Sequence, residues 1–129
     1  MPVADTSFVI DLMRREAGAL RLSAGFEREE IALATTAVTA MELLKGAYLS
    51  DNRDNLVKAR TVLHLFTVLA VDETMYEVYG RLAAGLSRAG TPVGDFDEII
   101  AAVTLCHDGK IITRDRHFEK IPGLTVITY

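Results

Sequence analysis

Four carboxylates stand at places in this chain where their type and spacing allow chemistry. Asp5 closes the short apolar run Pro2-Val3-Ala4, and Asp115 follows the β-branched run Ile111-Ile112-Thr113. Asp97 lies in the first turn of a helix that begins after Pro92-Val93-Gly94, and Glu42 borders the apolar stripe of another helix. In an α/β fold the C-terminal ends of parallel strands share one edge, and the helices that follow begin at that edge. Asp5 and Asp115 can meet there, the Asp97 helix starts there, and Glu42 can lean in from the side. Acids gathered in one place repel and raise one another's pKa unless a cation compensates. Hard divalent ions with oxygen ligands, Mg²⁺ or Mn²⁺, are the natural compensators, and such ions suit phosphate chemistry. Each acid also has a plain alternative role. Asp5 fits a turn, Asp97 fits a helix start favoured by the dipole, Glu42 fits a solvated helix face, and Asp115 fits a cap on the turn into His117-Phe118.

The elements that must position these acids alternate between strand and helix. Pro2–Asp5 reads as a strand, followed by a helix over Phe8–Arg15 that Thr6 or Ser7 caps. Ala17–Glu30 is loosely helical, and Ile31–Thr35 reads as a second parallel strand. A helix then starts at Thr36 and carries Val38, Met41, Leu43, Leu44 and Tyr48 as its core-facing stripe. Asn52–Leu65 is a further helix, Phe66–Val71 a strand, and Asp72 caps a long helix over Glu73–Arg88 that ends at Gly90-Thr91-Pro92. Asp95 with Glu98 three residues on has the capping-box pattern, and the helix behind it buries Ile99, Ile100 and Val103. Leu124–Thr128 is the last strand. This alternation predicts a single α/β domain over residues 1–129, with a short-stranded parallel sheet flanked by helices on both faces.

Bulk properties narrow the function classes. The chain has 129 residues, half of them hydrophobic, which is enough for one well-buried core. No apolar run approaches the roughly 20 residues that span a bilayer, and no basic leader opens the chain, so a membrane role or secretory signal is not expected. The single cysteine, Cys106, fits a cytoplasmic setting and reads as a small buried hydrophobe. A formal charge of −4 argues against a broad basic footprint for duplex DNA. It does not argue against an enzyme of nucleic acids that holds cations through acids. The high apolar fraction leaves room for an exposed patch and a protein partner.

Taken together, Asp5-Thr6-Ser7, Met41-Glu42-Leu43-Leu44-Lys45-Gly46, Asp97-Glu98-Ile99-Ile100-Ala101-Ala102 and Thr113-Arg114-Asp115 resemble the PIN domain, and more narrowly the VapC ribonuclease toxins of toxin–antitoxin pairs. The likeness runs from Asp5 to the final strand. It implies a three-layer α/β/α fold and an endoribonuclease dependent on Mg²⁺ or Mn²⁺, in which a metal-activated water attacks an RNA phosphodiester. The metal ligands it implies are Asp5, Asp97, Glu42 and Asp115. It also implies that Thr113 helps orient an acid or water, and that Thr6 does the same beside Asp5. The family's acid is Asp97, which leaves Asp95 as the helix cap. The resemblance further implies an RNA substrate, a homodimer and a cognate antitoxin, whose C-terminal segment would lie in a groove walled by Thr36–Tyr48 and Asn52–Leu65.

Two other functional classes are open at this stage. One is a non-catalytic PIN-like module that binds protein or RNA, which the intact acid set disfavours. The other is a phosphoacceptor receiver domain, for which Asp72 is available but no Lys follows Gly123. His64, His107 and His117 are not spaced as zinc ligands, and no Gly-rich phosphate loop is present. Arg14, Arg15, Arg114 and Arg116 flank the assigned acids, as contacts to RNA phosphates or as solvated charges.

Overall fold

The computed structural model describes residues 1–129. Five short parallel strands form one sheet: β1 (Val3–Ala4), β2 (Ala34–Thr36), β3 (Thr67–Leu69), β4 (Lys110–Ile112) and β5 (Thr125–Ile127), in the order β3-β2-β1-β4-β5. Val3 pairs with Ala34 on one side and Ile111 on the other, and Ala4 with Thr35 and Ile112. The two residues of β1 are fully buried, as expected for a central parallel strand covered on both faces.

Six helices complete the chain: α1 (Thr6–Met13), α2 (Ala17–Arg28), α3 (Ala37–Leu49), α4 (Arg53–Leu63), α5 (Tyr76–Arg88) and α6 (Asp95–Leu105). The pleat sorts the core between them. Ala4 and Ile112 face Phe8, Val9, Leu43, Ala47, Ala59 and Val62 of α1, α3 and α4. Val3, Ala34 and Leu69 face Ala102 and Val103 of α6, and Ile111 packs with Ile100, Ala101 and Leu86. The result is the expected three-layer α/β/α architecture. Burying each of the larger side chains contributes about 1.5–3 kcal/mol. No helix is long and apolar enough to cross a membrane.

Sheet order decides where a site can be. The chain leaves β1 for β2 and β3 on one side, then returns to β4 and β5 on the other. The crevice beyond the carboxyl ends of β1 and β4 is therefore a topological switch point, where open parallel sheets bind ligands. Asp5 immediately follows β1, and Thr113 immediately follows β4.

Several local expectations change. The second strand is Ala34–Thr36, because pairing starts where the Ala34 N–H reaches the Pro2 carbonyl at 2.9 Å, leaving Ile31 exposed. The third strand shrinks to Thr67–Leu69, with Phe66 turned into the core beneath α4. The long helix from Glu73 divides, because Asp72 caps a 3-10 turn over Glu73–Met75 before α5 begins. On α3 the buried face is Val38, Thr39, Leu43 and Ala47, whereas Met41 (60 % exposed) and Tyr48 (63 %) stand outside. Cys106 is only partly buried and follows the end of α6.

The start of α6 also differs. Asp95 is its first helical residue, and the capping position belongs to Gly94 at φ 125°. Glu98, buried to 5 % exposure, accepts the N–H groups of Val93 and Gly94 at 3.2 and 3.1 Å. The glutamate half of the capping box is thus present without its partner half. Nothing would obstruct a Cβ at Gly94, so the demand there is on the backbone alone. Gly94→Ala is expected to lower stability by about 1–2 kcal/mol through that left-handed φ, measured by urea unfolding.

Candidate active site

Asp5 is the most enclosed of the acids, at 3 % exposure. Its backbone N–H extends the sheet to the Ile112 carbonyl at 3.1 Å, and the chain then turns into α1. The side chain itself caps α1, a role assigned from sequence to Thr6 or Ser7. Oδ1 accepts the Phe8 N–H at 2.9 Å and the Ser7 hydroxyl at 2.7 Å. Oδ2 accepts the Thr113 hydroxyl at 2.5 Å. Three donors favour the charged carboxylate, but burial outweighs them, and with the like charge of Asp115 it pushes the Asp5 pKa upward.

Thr113 joins two strand ends. Its N–H donates to the Ile127 carbonyl at 3.1 Å, and its hydroxyl oxygen, while donating to Asp5, accepts the Asp115 N–H at 2.8 Å. Asp115 does cap the turn that follows: Oδ1 accepts the His117 N–H at 2.9 Å and lies 2.7 Å from His117 Nδ1. The capping role and a place beside Asp5 are not alternatives here, because one loop serves both.

Glu42 leans in from α3. Its Oε1 accepts the Thr6 hydroxyl at 2.8 Å, and Thr6 Oγ1 is 3.1 Å from Thr39 Oγ1. Thr6 therefore serves Glu42 and not Asp5, and the hydroxyl beside Asp5 is that of Ser7. The rotation of the first helical turn decides between the two neighbours.

Asp97 enters from α6, three residues into the helix, and its pKa is pushed up to about 6. Burial is the largest cause, followed by the charges of Asp115, Glu42 and Asp5, with His117 opposing them. The four acids thus share one field, although they come from four separate parts of the chain. They do not converge on a point: no three His, Cys, Asp or Glu side chains are spaced to hold an ion. The donor set consists of carboxylates and hydroxyls, which matches hard divalent cations and not zinc. Asp95 and Phe96 line the same open hollow as Glu42 and Asp97.

A groove of about 550 Å³ runs away from Glu42 along α1, α3 and α4, with Ile10, Met13 and Leu43 on its walls and Arg14, Arg15 and Lys58 at its edges. Arg14 and Arg15 thus face a cavity, whereas Arg116 only pairs with Glu119 at 3.8 Å on the surface. Arg114 turns its Nε to Asp11 at 3.3 Å, and Asp11 also accepts the Tyr129 hydroxyl at 2.6 Å. Asp11 and Tyr129 escaped the sequence reading, which gave Ser7 only a helix-capping role. The available signal was one acid, Asp11, inside the otherwise apolar run Phe8–Met13.

Comparison with known proteins gives the family of this fold. The PIN domain family matches residues 3–124. The tRNA(fMet)-specific endonuclease VapC of Salmonella typhimurium is 34% identical over 94 residues, 70% of each chain. The protein of the same name from Shigella flexneri is 30% identical over 122 residues, 93% of this chain and 91% of that one. The crystal structure of DNA-bound VapBC from Salmonella typhimurium superposes with a TM-score of 0.88 at 28% identity, covering 99% of this chain and 98% of that chain. From its first strand to the approach to its last, this chain belongs to the PIN domain family, in the VapC group.

Proposed function

We propose that this protein is a ribonuclease toxin of a toxin–antitoxin pair, an endonuclease that hydrolyses RNA phosphodiester bonds with Mg²⁺ or Mn²⁺. The observation that carries the reading is the raised pKa of Asp97, which burial and the charges of Asp115, Glu42 and Asp5 push upward beside the β1/β4 switch point. In this reading Asp5, Asp97, Glu42 and Asp115 would hold the ion. When bound, such an ion would offset their repulsion and would supply Lewis acidity for water activation and for the leaving oxygen. Thr113 and Ser7 fix the Asp5 carboxylate by hydrogen bonds, and Thr6 fixes Glu42, so the oxygens are oriented before a substrate arrives. Names of the relatives support the nuclease class. The VapBC neighbour supports an antitoxin partner, for whose apolar segment the groove beside Glu42 is the receiving surface. A homodimer belongs to the same proposal.

The test is incubation of the purified protein with labelled single-stranded RNA, with Mg²⁺, with Mn²⁺ and with EDTA. Cleavage that requires the ion supports the reading. Cleavage that persists in EDTA removes the cation from it, and RNA retention without cleavage makes the chain a binding module.

The reading also predicts a pH dependence. Asp97 must lose its proton to take up the cation, so at subsaturating Mg²⁺ or Mn²⁺ cleavage is expected to fall as pH drops through about 6, and saturating ion is expected to move that fall to lower pH. Stability runs the other way in the metal-free protein. The folded pKa of Asp97 is raised from 3.8 to about 6, so its stabilising contribution is complete below 3.8 and is lost as pH rises through about 6. Saturating Mn²⁺ is therefore expected to raise the Tm more at pH 7.5 than at pH 5, read by paired thermal melts.

A further inference from the structure

Asp11 is the one charged side chain within α1, and at 4 % exposure it is almost as enclosed as Asp5. A carboxylate in such a place requires partners, because desolvation of an unpaired charge is severe. Both partners come from far along the chain and meet on one oxygen. Oδ2 accepts the Tyr129 hydroxyl at 2.6 Å and faces Arg114 Nε at 3.3 Å. Tyr129 is seated independently, its ring edge-on to that of Phe8 with centroids 5.0 Å apart and planes at 71°. Burial and the adjoining Asp11 keep its hydroxyl protonated, hence a donor.

Arg114 matters because of its neighbours. It lies between Thr113, which grips Asp5, and Asp115, whose side-chain hydrogen bonds go only to His117 two residues on. Nothing on another element holds the Asp115 carboxylate directly. Its place depends on the backbone of the loop, which the Thr113 hydroxyl and the Arg114 N–H tie to α1, the latter through a 3.4 Å bond to Ser7 Oγ. The Arg114 side chain, 55 % exposed at its own end, reaches a buried anchor at the other. A charge-assisted bond from a planar guanidinium is directional and restrains the backbone that bears it.

We infer that Asp11, with Tyr129 bound to it, anchors Arg114 and so holds the Asp115 loop against the first turns of α1. Asp11, Tyr129 and Arg114 are then positioning residues of the carboxylate site and not ligands in it. The inference rests on the nuclease reading only in counting Asp115 as part of that site. It also explains why an acid occupies a position in α1 that the fold alone would fill with an apolar side chain.

The Tyr129→Phe and Arg114→Gln variants test this; Tyr129→Phe keeps the ring on Phe8 and removes only the hydroxyl. Three quantities are read well below each variant's Tm: hydrogen exchange of the 113–118 segment, Mn²⁺ affinity by calorimetry, and kcat and KM separately. Exchange in that segment is expected to rise several-fold. Mn²⁺ affinity and kcat are each expected to fall about 10-fold, with KM for RNA changing less than about 2-fold. Unchanged exchange and Mn²⁺ affinity with only a lower Tm would reduce the network to a stabiliser of the fold and overturn the inference. A rise in KM alone would make Arg114 an RNA contact and overturn it equally. Absence of Mn²⁺ binding by the wild-type chain is a failure of the nuclease reading, and the latch is then decided by exchange alone: faster exchange in 113–118 sustains it, unchanged exchange ends it.

Discussion

Asp97→Asn is expected to lower metal-dependent RNA cleavage by at least about 100-fold while leaving the metal-free protein as stable as the wild type, or more so. The two halves of this expectation have one cause. Asp97 is partly buried and carries the combined repulsion of Asp115, Glu42 and Asp5, which together with desolvation lifts its pKa to about 6. An amide of nearly the same shape removes that repulsion at neutral pH, so the Tm of the metal-free protein holds or rises. The same change removes one anionic oxygen donor from the proposed hard-cation site, for which a neutral amide is a poor substitute. Calorimetric Mn²⁺ titration beside the cleavage assay checks both halves. An Asp97→Asn chain that cuts RNA at the wild-type rate would remove Asp97 from the site.

Asp5→Ala is expected to act differently, abolishing cleavage and also destabilising the fold by about 2–4 kcal/mol. Asp5 is structural as well as part of the proposed site. It caps α1 through the Phe8 N–H, and its loss removes the acceptor of both the buried Thr113 hydroxyl and the Ser7 hydroxyl, which lie 3.3 Å apart and can satisfy only one donor between them. A lost cap costs about 1 kcal/mol and one buried hydroxyl left without an acceptor about 1–3 kcal/mol more. Asp5→Asn separates the two roles. Asparagine still caps α1 and accepts from Ser7 through its carbonyl, so most of the stability is retained while the negative charge is lost. Urea unfolding of both variants, paired with cleavage assays, distinguishes them. Equal stability of Asp5→Ala and wild type would contradict the hydrogen bonding described at the β1–α1 junction.

The element order was legible because it is local. β-Branched runs such as Ile111-Ile112 and the three- and four-residue spacing of Val38, Met41, Leu44 and Tyr48 are periodicities that a short window contains. Strand ends were less legible, since a strand is as long as its partner allows. Ile31 and Val71 are apolar like their neighbours but have no strand to pair with. Met41 and Tyr48 fit a core stripe by spacing, yet they stand in solvent, because α3 turns its small residues Thr39 and Ala47 inward instead. Close packing selects by volume as well as hydropathy.

What the sequence determined by itself was the alternation of strands and helices, and with it the parallel α/β class and the placing of acids at element ends. Those are statements about neighbours along the chain. Only the tertiary structure decided which hydroxyl serves which acid: Ser7 and Thr113 on Asp5, Thr6 on Glu42. The Asp5–Thr113 bond joins residues 108 apart, and the Asp11–Tyr129 bond joins residues 118 apart. Such pairs exist because β1 lies beside β4 and β4 beside β5, an order that no local pattern records. The raised pKa of Asp97 is of the same kind, a product of burial and of charges that only the folded chain brings together.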